Sequence, residues 1–313
     1  MAVYIKSIGQ IVPDSATNPE QVASGRLACI EPDYSAFFDS RTLRRISRII
    51  KIGTASAMMA LRSANVEIPD AIIVGTGFGC LEDTSLFLRK MITNKEETLN
   101  PTPFIFSTHN SIASQIALQL KCHAYNSTYS QRNFSFESAL LDAFLLIQEQ
   151  EANTVLVGAA DELTDDSYDL MKRIGYYQPT DVAGEGASFF VLANEKNEQC
   201  FAELKTVQLF SNTETAKVIE QLKSIAAIND IDAIVVGSIP NTLNANDKAV
   251  IDALALQDRV TYYKHTCGEY ATANAYAFSV ANMMLHENKS LKNVLVYNQY
   301  ASSNHSIILL SAC

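Results

Sequence analysis

The sequence predicts an α/β fold built from two similar halves, and two observations lead to this prediction. First, stretches such as AIIVGTGFG (71–79) and AIVVGS (233–238) are continuous apolar runs, which are typical of strands whose two faces are both covered by helices. Second, the order in which candidate strands and helices alternate occurs twice along the chain. The two passes cover about 1–198 and 199–313, and we expect each of them to form one half of the fold.

The first half opens with a strand and contains four more. Helices are inferred from apolar residues at helical spacing, and strands from short apolar or β-branched runs bounded by turn residues. In chain order, we predict a strand 3–12, a helix about 41–64, a strand 71–79, a helix near 110–120, a strand around 124–130, a helix 136–148 and strands 154–160 and 187–194.

The second half repeats this order of elements with little sequence identity to the first. It is predicted to contain a strand 201–210, a helix about 213–226, a strand 233–238, a helix near 246–256, a strand 259–263, a helix 269–285 and strands 293–299 and 306–312.

The composition excludes several classes of function. A net charge of −10 argues against binding to nucleic acid or to an anionic membrane. No window approaches the roughly 18 consecutive apolar residues that span a bilayer. The N-terminus, MAVYIKSIGQIVP, lacks the basic and apolar regions of a secretory signal. We therefore expect a cytoplasmic protein with no membrane span and no nucleic-acid partner.

The cysteines are predicted to be free thiols in a reducing compartment, because they show no C-x-x-C spacing and the chain carries no export signal. They are Cys29, Cys80, Cys122, Cys200, Cys267 and Cys313. No pair of Cys or His residues has the spacing of a zinc finger, so the sequence predicts neither a metal nor another cofactor.

One segment departs from the acidic character of the chain. In RTLRRISRIIK, basic residues recur at helical spacing and would form one stripe on a helix. They are Arg41, Arg44, Arg45, Arg48 and Lys51. Such a stripe is either a solvated helix face or a docking surface for an acidic partner, and both interpretations stay open.

Four motifs resemble signatures of the β-ketoacyl synthases, which are condensing enzymes of the thiolase fold. GEGASFFVL (184–192) resembles the GEGA turn and strand of that family, and NPTPFIFSTHN (100–110) resembles its SPFP…N segment. RRISRIIKIG (44–53) is similar to the RRMSR helix, and VGAADE (157–162) to the GGAE turn. The motifs follow the family order over essentially the whole chain. The resemblance implies two pseudo-symmetric α/β halves stacked as five α-β-α-β-α layers.

The resemblance also implies where catalytic residues should lie. In this family a Cys at a helix N-terminus accepts the acyl group, and two His residues assist decarboxylation and stabilise the enolate. Gap-free counting places Phe134 at the Cys position, and Val236 takes the first His position. Glu269 takes the second, in KHTCGE (264–269), where the family Lys is kept as Lys264. None of the three replacements can perform the family chemistry.

Two other residues could serve as substitute nucleophiles. Ser135 borders the Phe134 position, but the motif offers it no basic partner. Cys267 lies two residues after His265, and alternate side chains in a loop point in different directions unless the backbone turns sharply. We expect neither to react, and a divergent acyltransferase that uses Ser135 or Cys267 is the alternative hypothesis.

Intact fold motifs combined with missing catalytic residues resemble the chain-length factor, the non-catalytic partner of a heterodimeric ketosynthase in fatty acid, aryl polyene or polyketide biosynthesis. The resemblance implies an active ketosynthase subunit as the partner, or a second copy of the chain. Because acyl carrier proteins are strongly acidic, the net charge of −10 favours indirect contact with a carrier, through that partner, unless the basic stripe provides the docking face. A homodimer that binds an acyl carrier or a lipid without turnover is a further alternative.

The resemblance further implies the location of the partner and of the acyl tunnel. Family members pair around the strand that precedes the nucleophile helix, here about 125–130. The loop matched by residues 104–110 crosses that interface, and ordinary interface packing is the alternative role for its members. Tyr300, in QYASSN (299–304), takes the place of a gating Phe in the family's GFGGTN loop. The tunnel or interface candidates are therefore Phe104, Ile105, Thr108, His109 and Tyr300.

Overall fold

The computed structural model describes residues 1–239 and 243–313, which form ten strands and twelve α-helices. The strands are β1 (Val3–Ile11), β2 (Ala71–Gly75), β3 (Tyr125–Tyr129), β4 (Thr154–Asp161), β5 (Gly186–Ala193), β6 (Ala202–Phe210), β7 (Ala233–Val236), β8 (Val260–Tyr262), β9 (Asn293–Tyr300) and β10 (Asn304–Ala312). Each strand, β3 included, starts within two residues of its predicted start. Short apolar or β-branched runs bounded by turn residues are visible in the local sequence, which is why these strands could be predicted.

The helices include several that the sequence pattern did not single out, among them the short helices α1, α5 and α11. They are α1 (Pro19–Ser24), α2 (Ser40–Leu43), α3 (Arg48–Ala64), α4 (Leu81–Thr93), α5 (Pro101–Phe106), α6 (Ser111–Leu120), α7 (Ser135–Gln148), α8 (Asp165–Arg173), α9 (Thr215–Ile228), α10 (Ala245–Leu254), α11 (Lys264–Cys267) and α12 (Ala273–Glu287).

The strand order shows the internal repeat. The ten strands are hydrogen-bonded in the order β3-β2-β4-β5-β1-β6-β10-β9-β7-β8. The last five strands of the chain therefore follow the mirror-image order of the first five, with β1 and β6 in contact at the centre. In each half the second strand pairs in parallel with the third and the fourth, and the fifth strand is antiparallel to its neighbours. The division near residue 198 stays a prediction.

Three hydrophobic cores arrange these elements in layers. One core joins α3 and α6 to one face of the N-terminal strands, and another joins α9 and α10 to one face of the C-terminal strands. The central core contains α7 and α12 together with the remaining faces of both sets of strands. Consecutive residues of one strand point to opposite faces of the sheet, so Ile234 and Val235 pack in different cores. The predicted thiolase-like five-layer α/β architecture is confirmed.

The single helix predicted over about 41–64 is wrong, since α2 ends at Leu43 and α3 begins at Arg48. The Asp39 side chain caps α2 by accepting hydrogen bonds from the backbone amides of Arg41 and Thr42 at 2.8 and 3.0 Å. Ser47 then adopts an extended conformation before α3 begins. The chain turns between the two helices, so the basic residues do not share one continuous helix face.

The prediction of six free thiols is wrong for two of the cysteines. Cys200 and Cys313 are joined as a disulfide, with Cα atoms 6.1 Å apart. The two residues are 113 positions apart in the chain, and the antiparallel pairing of β6 with β10 aligns Ala202 with Ala312 and so brings them together. Cys29, Cys80, Cys122 and Cys267 are free.

Candidate functional site

The first family position lies where β3 leads into α7. A short 3-10 turn, Arg132–Phe134, joins the strand to the helix, and Arg132 has a φ of 54°. That left-handed conformation costs a non-glycine residue about 1–2 kcal/mol. Phe134, the gap-free equivalent of the nucleophile, is half-buried and lines a cavity of about 390 Å³ together with Tyr300. The structure places an aromatic ring at the start of α7, and its equivalence to the family Cys stays a prediction.

Ser135 has a structural role at the first turn of α7. Its hydroxyl is fully buried and lies within hydrogen-bond distance of the carbonyl oxygens of Thr76 and Arg132, at 2.9 and 2.7 Å. It also accepts a hydrogen bond from the backbone N–H of Gln131 at 2.8 Å. A nucleophilic hydroxyl needs access to its substrate and a base that takes its proton. Ser135 has neither, which argues against the alternative in which it reacts.

Asn133 connects the start of α7 to the start of α12. Its backbone carbonyl accepts a hydrogen bond from the Asn274 side chain at 3.2 Å. Its side-chain oxygen accepts one from the Tyr176 hydroxyl at 3.2 Å. Asn133 is itself buried. A residue one position from the gap-free nucleophile therefore serves to fix two helix ends against each other.

Asp161, in the VGAADE turn at the end of β4, organises the loop that follows β2. The carboxylate is buried and accepts hydrogen bonds from the backbone amides of Gly77 and Phe78 at 2.9 and 3.1 Å. The hydroxyls of Thr76 and Thr272 donate to it at 3.0 and 2.8 Å. Burial raises the pKa of Asp161, and these four donors offset part of that effect. Asp161 thus joins β2, β4 and the start of α12.

Val236, at the first His position, is the last residue of β7 and is fully buried among apolar side chains. The polar contacts of this region come from the residues after it. The Ser238 hydroxyl donates to Asp247 at 2.5 Å and accepts from the backbone and side-chain nitrogens of Asn244 at 3.2 and 3.1 Å. Among the described residues of this segment, Val236 places an isopropyl group at the strand end, and its equivalence to the first family His stays a prediction.

Glu269, at the second His position, forms an ion pair with Lys264. The Lys264 Nζ and Glu269 Oε2 atoms are 2.6 Å apart, and both side chains are about 15% exposed. Burial lowers the pKa of Lys264, but the Glu269 carboxylate outweighs it and the pKa is raised. Burial also raises the pKa of Glu269, which Lys264 only partly offsets. The retained Lys is therefore neutralised by the residue that replaces the His.

The GEGA turn holds this loop from the other side. Gly184 and Gly268 lie back to back, so a Cβ added to Gly268 would come within 2.7 Å of the Gly184 Cα, and Gly268 has a φ of 80°. The backbone N–H of Glu269 donates to Val182 at 2.7 Å, and that of Gly184 donates to the Glu269 carbonyl at 3.0 Å. Gly184 and Gly268 are needed because two backbone segments meet without room for side chains.

His265 and Cys267 do not form a dyad. Cys267 is fully buried in the central core, and burial raises the pKa of its thiol. His265 is exposed, and its ring lies 3.3 Å from the Thr266 hydroxyl. The two side chains point to opposite sides of α11, as expected for alternate residues. Cys267 therefore lacks both the thiolate and the base that a nucleophile requires.

Two neighbouring cavities lie beside the predicted family positions. Lys264, Glu269 and Gly237, the residue after Val236, line one of about 230 Å³ together with Gln178 and Gln299. Phe134 and Tyr300 line the other, with Arg132, Leu209 and Phe210. Consecutive residues Gln299 and Tyr300 border different cavities, so β9 separates them. Of the three predicted positions, Glu269 borders the first cavity, Phe134 borders the second, and Val236 is in the lining of neither.

The tunnel candidates on and after α5 lie at the surface of the single chain. Phe104 and Ile105 are 57% and 61% exposed, and the Phe104 ring packs against that of Phe87 with centroids 5.2 Å apart. Thr108 and His109 are also exposed. Exposure of this kind suits residues that a partner covers, and their role in a tunnel stays a prediction.

The basic residues are divided between two settings. Arg41, Arg44 and Arg45 are exposed and Lys51 is half-buried. Arg48 instead points inward, where its guanidinium contacts Glu31 at 2.6 Å and Glu185 of the GEGA turn at 2.5 Å. We keep the docking prediction for the exposed arginines, whereas Arg48 is held by two carboxylates.

The loop after Tyr300 keeps an unusual backbone although its glycines are lost. Ala301 and Ser302, in the turn between β9 and β10, have φ values of 50° and 58°. The Asn304 side chain accepts from the Asn212 backbone at 3.1 Å and so fixes the turn. The two non-glycine residues are held in a conformation that glycine adopts without cost.

Sequence reasoning missed a buried acid close to this region. Glu137, in α7, is fully buried, and its Oε1 atom accepts from Asn298 and Ser306 at 3.0 and 2.8 Å. Among the described residues, neither its Oε2 atom nor the Oδ1 atom of Asn274 has a hydrogen-bond partner of good geometry, although the Asn274 side chain lies close enough to Glu137 to lower the pKa of its carboxyl. Burial raises the pKa of Glu137. The available signal was a charged residue within the apolar run FESALL (136–141).

Within the described part of the chain, no group of three or more His, Cys, Asp or Glu side chains is placed to hold a metal ion. Nor does any described helix combine the length and the apolar character needed to cross a membrane. The three predicted family positions are occupied by an aromatic ring, an isopropyl group and an ion-paired carboxylate. That these groups replace the catalytic residues of the family stays a prediction.

Comparisons with known proteins agree with the fold. The family described as "Beta-ketoacyl synthase, N-terminal domain" matches residues 30–256, which is well over half of the chain. A search of curated proteins gives no match.

Three solved structures resemble the chain over its full length. The first is "AntDE:AntF (apo): type II PKS acyl-carrier protein in complex with its ketosynthase bound to the hexaketide", with a TM-score of 0.83, 15% identity and 99% of that chain covered. The second is "The ishigamide ketosynthase/chain length factor", with a TM-score of 0.78, 15% identity and 99% covered. The third is the ketosynthase ApeO with its chain length factor ApeC from Xenorhabdus doucetiae, at 0.75, 13% identity and 98% covered.

These identities are low, so the structural likeness establishes the shared architecture alone, while the match over residues 30–256 establishes the relationship. The chain belongs to the β-ketoacyl synthase family.

Proposed function

We propose that this chain is the non-catalytic, chain-length-factor-like subunit of a heterodimeric ketosynthase. The observation that carries the proposal is the state of the second His position, where Glu269 is paired with Lys264 at 2.6 Å. A carboxylate at that place opposes the negative charge that develops on an enolate. Together with Phe134 and Val236, it leaves decarboxylation and carbon–carbon bond formation to another subunit.

The surface of the chain supports a protein partner. Large apolar side chains are exposed on β3, on α6 and α7, and on the pair formed by α4 and α5, and β3 is the first strand in the sheet order, with one edge not paired to any described strand. α6 and α7 both contact β3, and α4 packs on α5. An exposed apolar surface beside a free strand edge is a feature of interaction sites. The residues are Ile92, Phe104, Ile105, Leu118, Tyr125 and Leu145, which are 43–76% exposed.

The partner is proposed to be an active ketosynthase subunit with its Cys and two His intact. Acyl carrier proteins are strongly acidic, and a chain of net charge −10 repels them unless a basic surface intervenes. On this chain, the basic surface consists of Arg41, Arg44 and Arg45. The partner subunit is the other possible source of a basic docking surface. We place the complex in the cytoplasm, in fatty acid, aryl polyene or polyketide biosynthesis.

A second candidate function is a homodimer that binds an acyl chain without turnover. The observation in its favour is the cavity of about 390 Å³, which has apolar walls formed by Phe134, Leu209, Phe210 and Tyr300. An apolar chain could enter such a cavity. This candidate needs no partner subunit, and this is where the two hypotheses differ.

The test is co-expression with each ketosynthase of the same genome that keeps the Cys and both His residues, followed by size-exclusion chromatography with light scattering. We expect a heterodimer, and we expect Leu118→Glu to weaken it at least about tenfold because the interface would bury an unpaired charge. Leu118 is 73% exposed, so the change leaves the folded chain intact. Ile30→Glu, at a residue 56% exposed but distant from β3 in the chain, is the matched control and keeps full binding. A chain that stays monomeric in the presence of the ketosynthase refutes the proposal.

A further inference from the structure

A cleft separate from the family positions lies between the segment after α1, the first turns of α4 and the segment that follows β4. Its volume is about 830 Å³, within the range of pockets that take small organic molecules. Apolar side chains form part of its wall, namely Leu27, Ala28, Leu86 and Leu163. None of Phe134, Val236 or Glu269 borders it, so the proposed function makes no use of this space.

The cleft is lined by more negative than positive groups. Six carboxylates face three guanidinium groups. Each arginine is already engaged: Arg26 with Asp165 at 2.8 Å, Arg48 with Glu31 and Glu185, and Arg89 with Asp166. Two carboxylates remain without a cationic partner among the described residues. They are Glu82, which is exposed, and Glu162, which is 6% exposed.

Glu162 is the feature that points to a ligand. Its Oε1 atom accepts a hydrogen bond from the backbone N–H of Glu82 at 3.0 Å, which caps α4. Its Oε2 atom has no hydrogen-bond partner in the described part of the chain, although the side chain lines the cleft. A carboxylate so deeply buried needs a proton or a cation to balance its charge. The cleft therefore contains a buried acceptor directed at a space that a ligand can enter.

We propose that this cleft binds a small alkyl amine, with the ammonium group on Glu162 and Glu82 and the alkyl chain on the leucine wall. An ammonium group carries the charge and the donors that Glu162 lacks. A metal ion fits less well, because the described residues hold no group of three or more ligating side chains placed for one. An anion also fits less well, because every guanidinium group of the cleft is already paired with a carboxylate.

Binding should release a proton. Burial, together with the charges of Glu82, Glu185 and Asp83, raises the pKa of Glu162 to about 8, so the carboxyl is largely protonated at neutral pH. Glu82 and Asp83 belong to α4, Glu185 precedes β5 and is paired with Arg48, and Asp165 and Asp166 on α8 are paired with arginines. When an alkylammonium ion replaces that proton, it forms an ion pair with the Glu162 carboxylate. One proton is then released into solution. Apparent affinity should then rise up to about tenfold per pH unit below pH 8.

The experiment is calorimetric titration of the intact protein with butylamine and with 1,4-diaminobutane, in phosphate and in HEPES. We expect saturable binding of both amines, tighter for the diamine, and proton release that is visible as a difference between the buffers. Sodium butyrate, which has the same alkyl chain but a negative charge, should not bind. No saturable heat with either amine at about 10 mM, which corresponds to very weak binding, would overturn the proposal, and so would equal binding of butyrate.

Glu162→Gln is the diagnostic variant, because the amide oxygen still accepts from Glu82 and preserves the cap of α4. It should bind the amines at least about tenfold more weakly, without proton release, since a hydrogen bond to a charged group is the stronger kind. Glu220→Gln, at an exposed position on α9, is the matched control and should bind as the parent does. Unchanged affinity and proton release in Glu162→Gln contradict the proposal. Circular dichroism of each variant shows that it is folded, and if Glu162→Gln does not fold, the pH dependence of amine binding by the parent protein decides.

Discussion

Glu137 offers the sharpest test of the buried polar network beside the family positions. Its carboxyl is fully buried between α7 and the ends of β9 and β10, and one oxygen has no partner. Glu137→Gln removes the ionisable group but keeps an acceptor for Asn298 and Ser306. The new amide also supplies a donor near the unpartnered Oδ1 atom of Asn274. We therefore expect the variant to be more stable than the parent at neutral pH.

The magnitude follows from the unsatisfied atoms. A buried polar group without a partner costs about 1–3 kcal/mol, so Glu137→Gln should raise the free energy of unfolding by about that amount at neutral pH. The pKa of Glu137 is raised in the folded state. The contribution of Glu137 to the free energy of unfolding is therefore fully present below the ordinary carboxyl pKa. It decreases as pH rises toward and through the folded-state pKa. The difference between variant and parent should shrink as the pH is lowered toward the ordinary carboxyl pKa.

Urea unfolding followed by circular dichroism, at fixed protein concentration and several pH values, measures this difference. Glu149→Gln, at the residue directly after α7, is the control, because Glu149 is exposed and its loss should leave stability nearly unchanged. The reasoning fails if Glu137→Gln is less stable than the parent at neutral pH. It also fails if the two proteins show the same dependence of stability on pH.

Two further predictions concern the family positions. Lys264→Met should destabilise the fold by about 3–5 kcal/mol in urea unfolding, because it leaves the Glu269 carboxylate buried without its partner. The double variant Lys264→Met/Glu269→Gln should recover most of that loss, and no recovery would show that the ion pair is not the cause. Phe134→Cys should become acylated at most, and should not condense malonyl units, because Val236 and Glu269 still replace both imidazoles. Intact-protein mass spectrometry and a condensation assay separate the two steps, and condensation by this variant would contradict the assigned positions.

The sequence predicts well those features that depend on residues close together in the chain. The apolar runs that became β2, β4 and β7 lie where the pattern placed them, and the motif order identified the family positions. The break between α2 and α3 escaped prediction because it depends on the side-chain cap by Asp39 and on the extended backbone of Ser47 rather than on periodicity. Features that depend on distant contacts could not be predicted, since nothing near Cys200 indicates that β6 and β10 bring Cys313 beside it.

The candidate site shows the same division. KHTCGE (264–269) correctly indicated a Lys and a Glu in one loop, but their ion pair and the burial of Cys267 appear only in three dimensions. Arg48 has the helical spacing of a docking stripe, yet it turns inward because Glu31 and Glu185 attract it. Glu162 follows directly on Asp161 in the VGAADE turn, and only the packing of α4 against it reveals a buried carboxyl that faces a cleft.

The most direct test of the account is a condensation assay with an acyl carrier donor and a malonyl extender. It compares this chain alone, the ketosynthase that co-purifies with it on co-expression, and the two together. We predict that product forms efficiently only with the two together, and that intact-protein mass spectrometry finds the acyl group on the ketosynthase and none on this chain. Condensation by this chain alone, or an acyl group bound to its Ser135 or Cys267, would contradict the claim that it is the non-catalytic subunit.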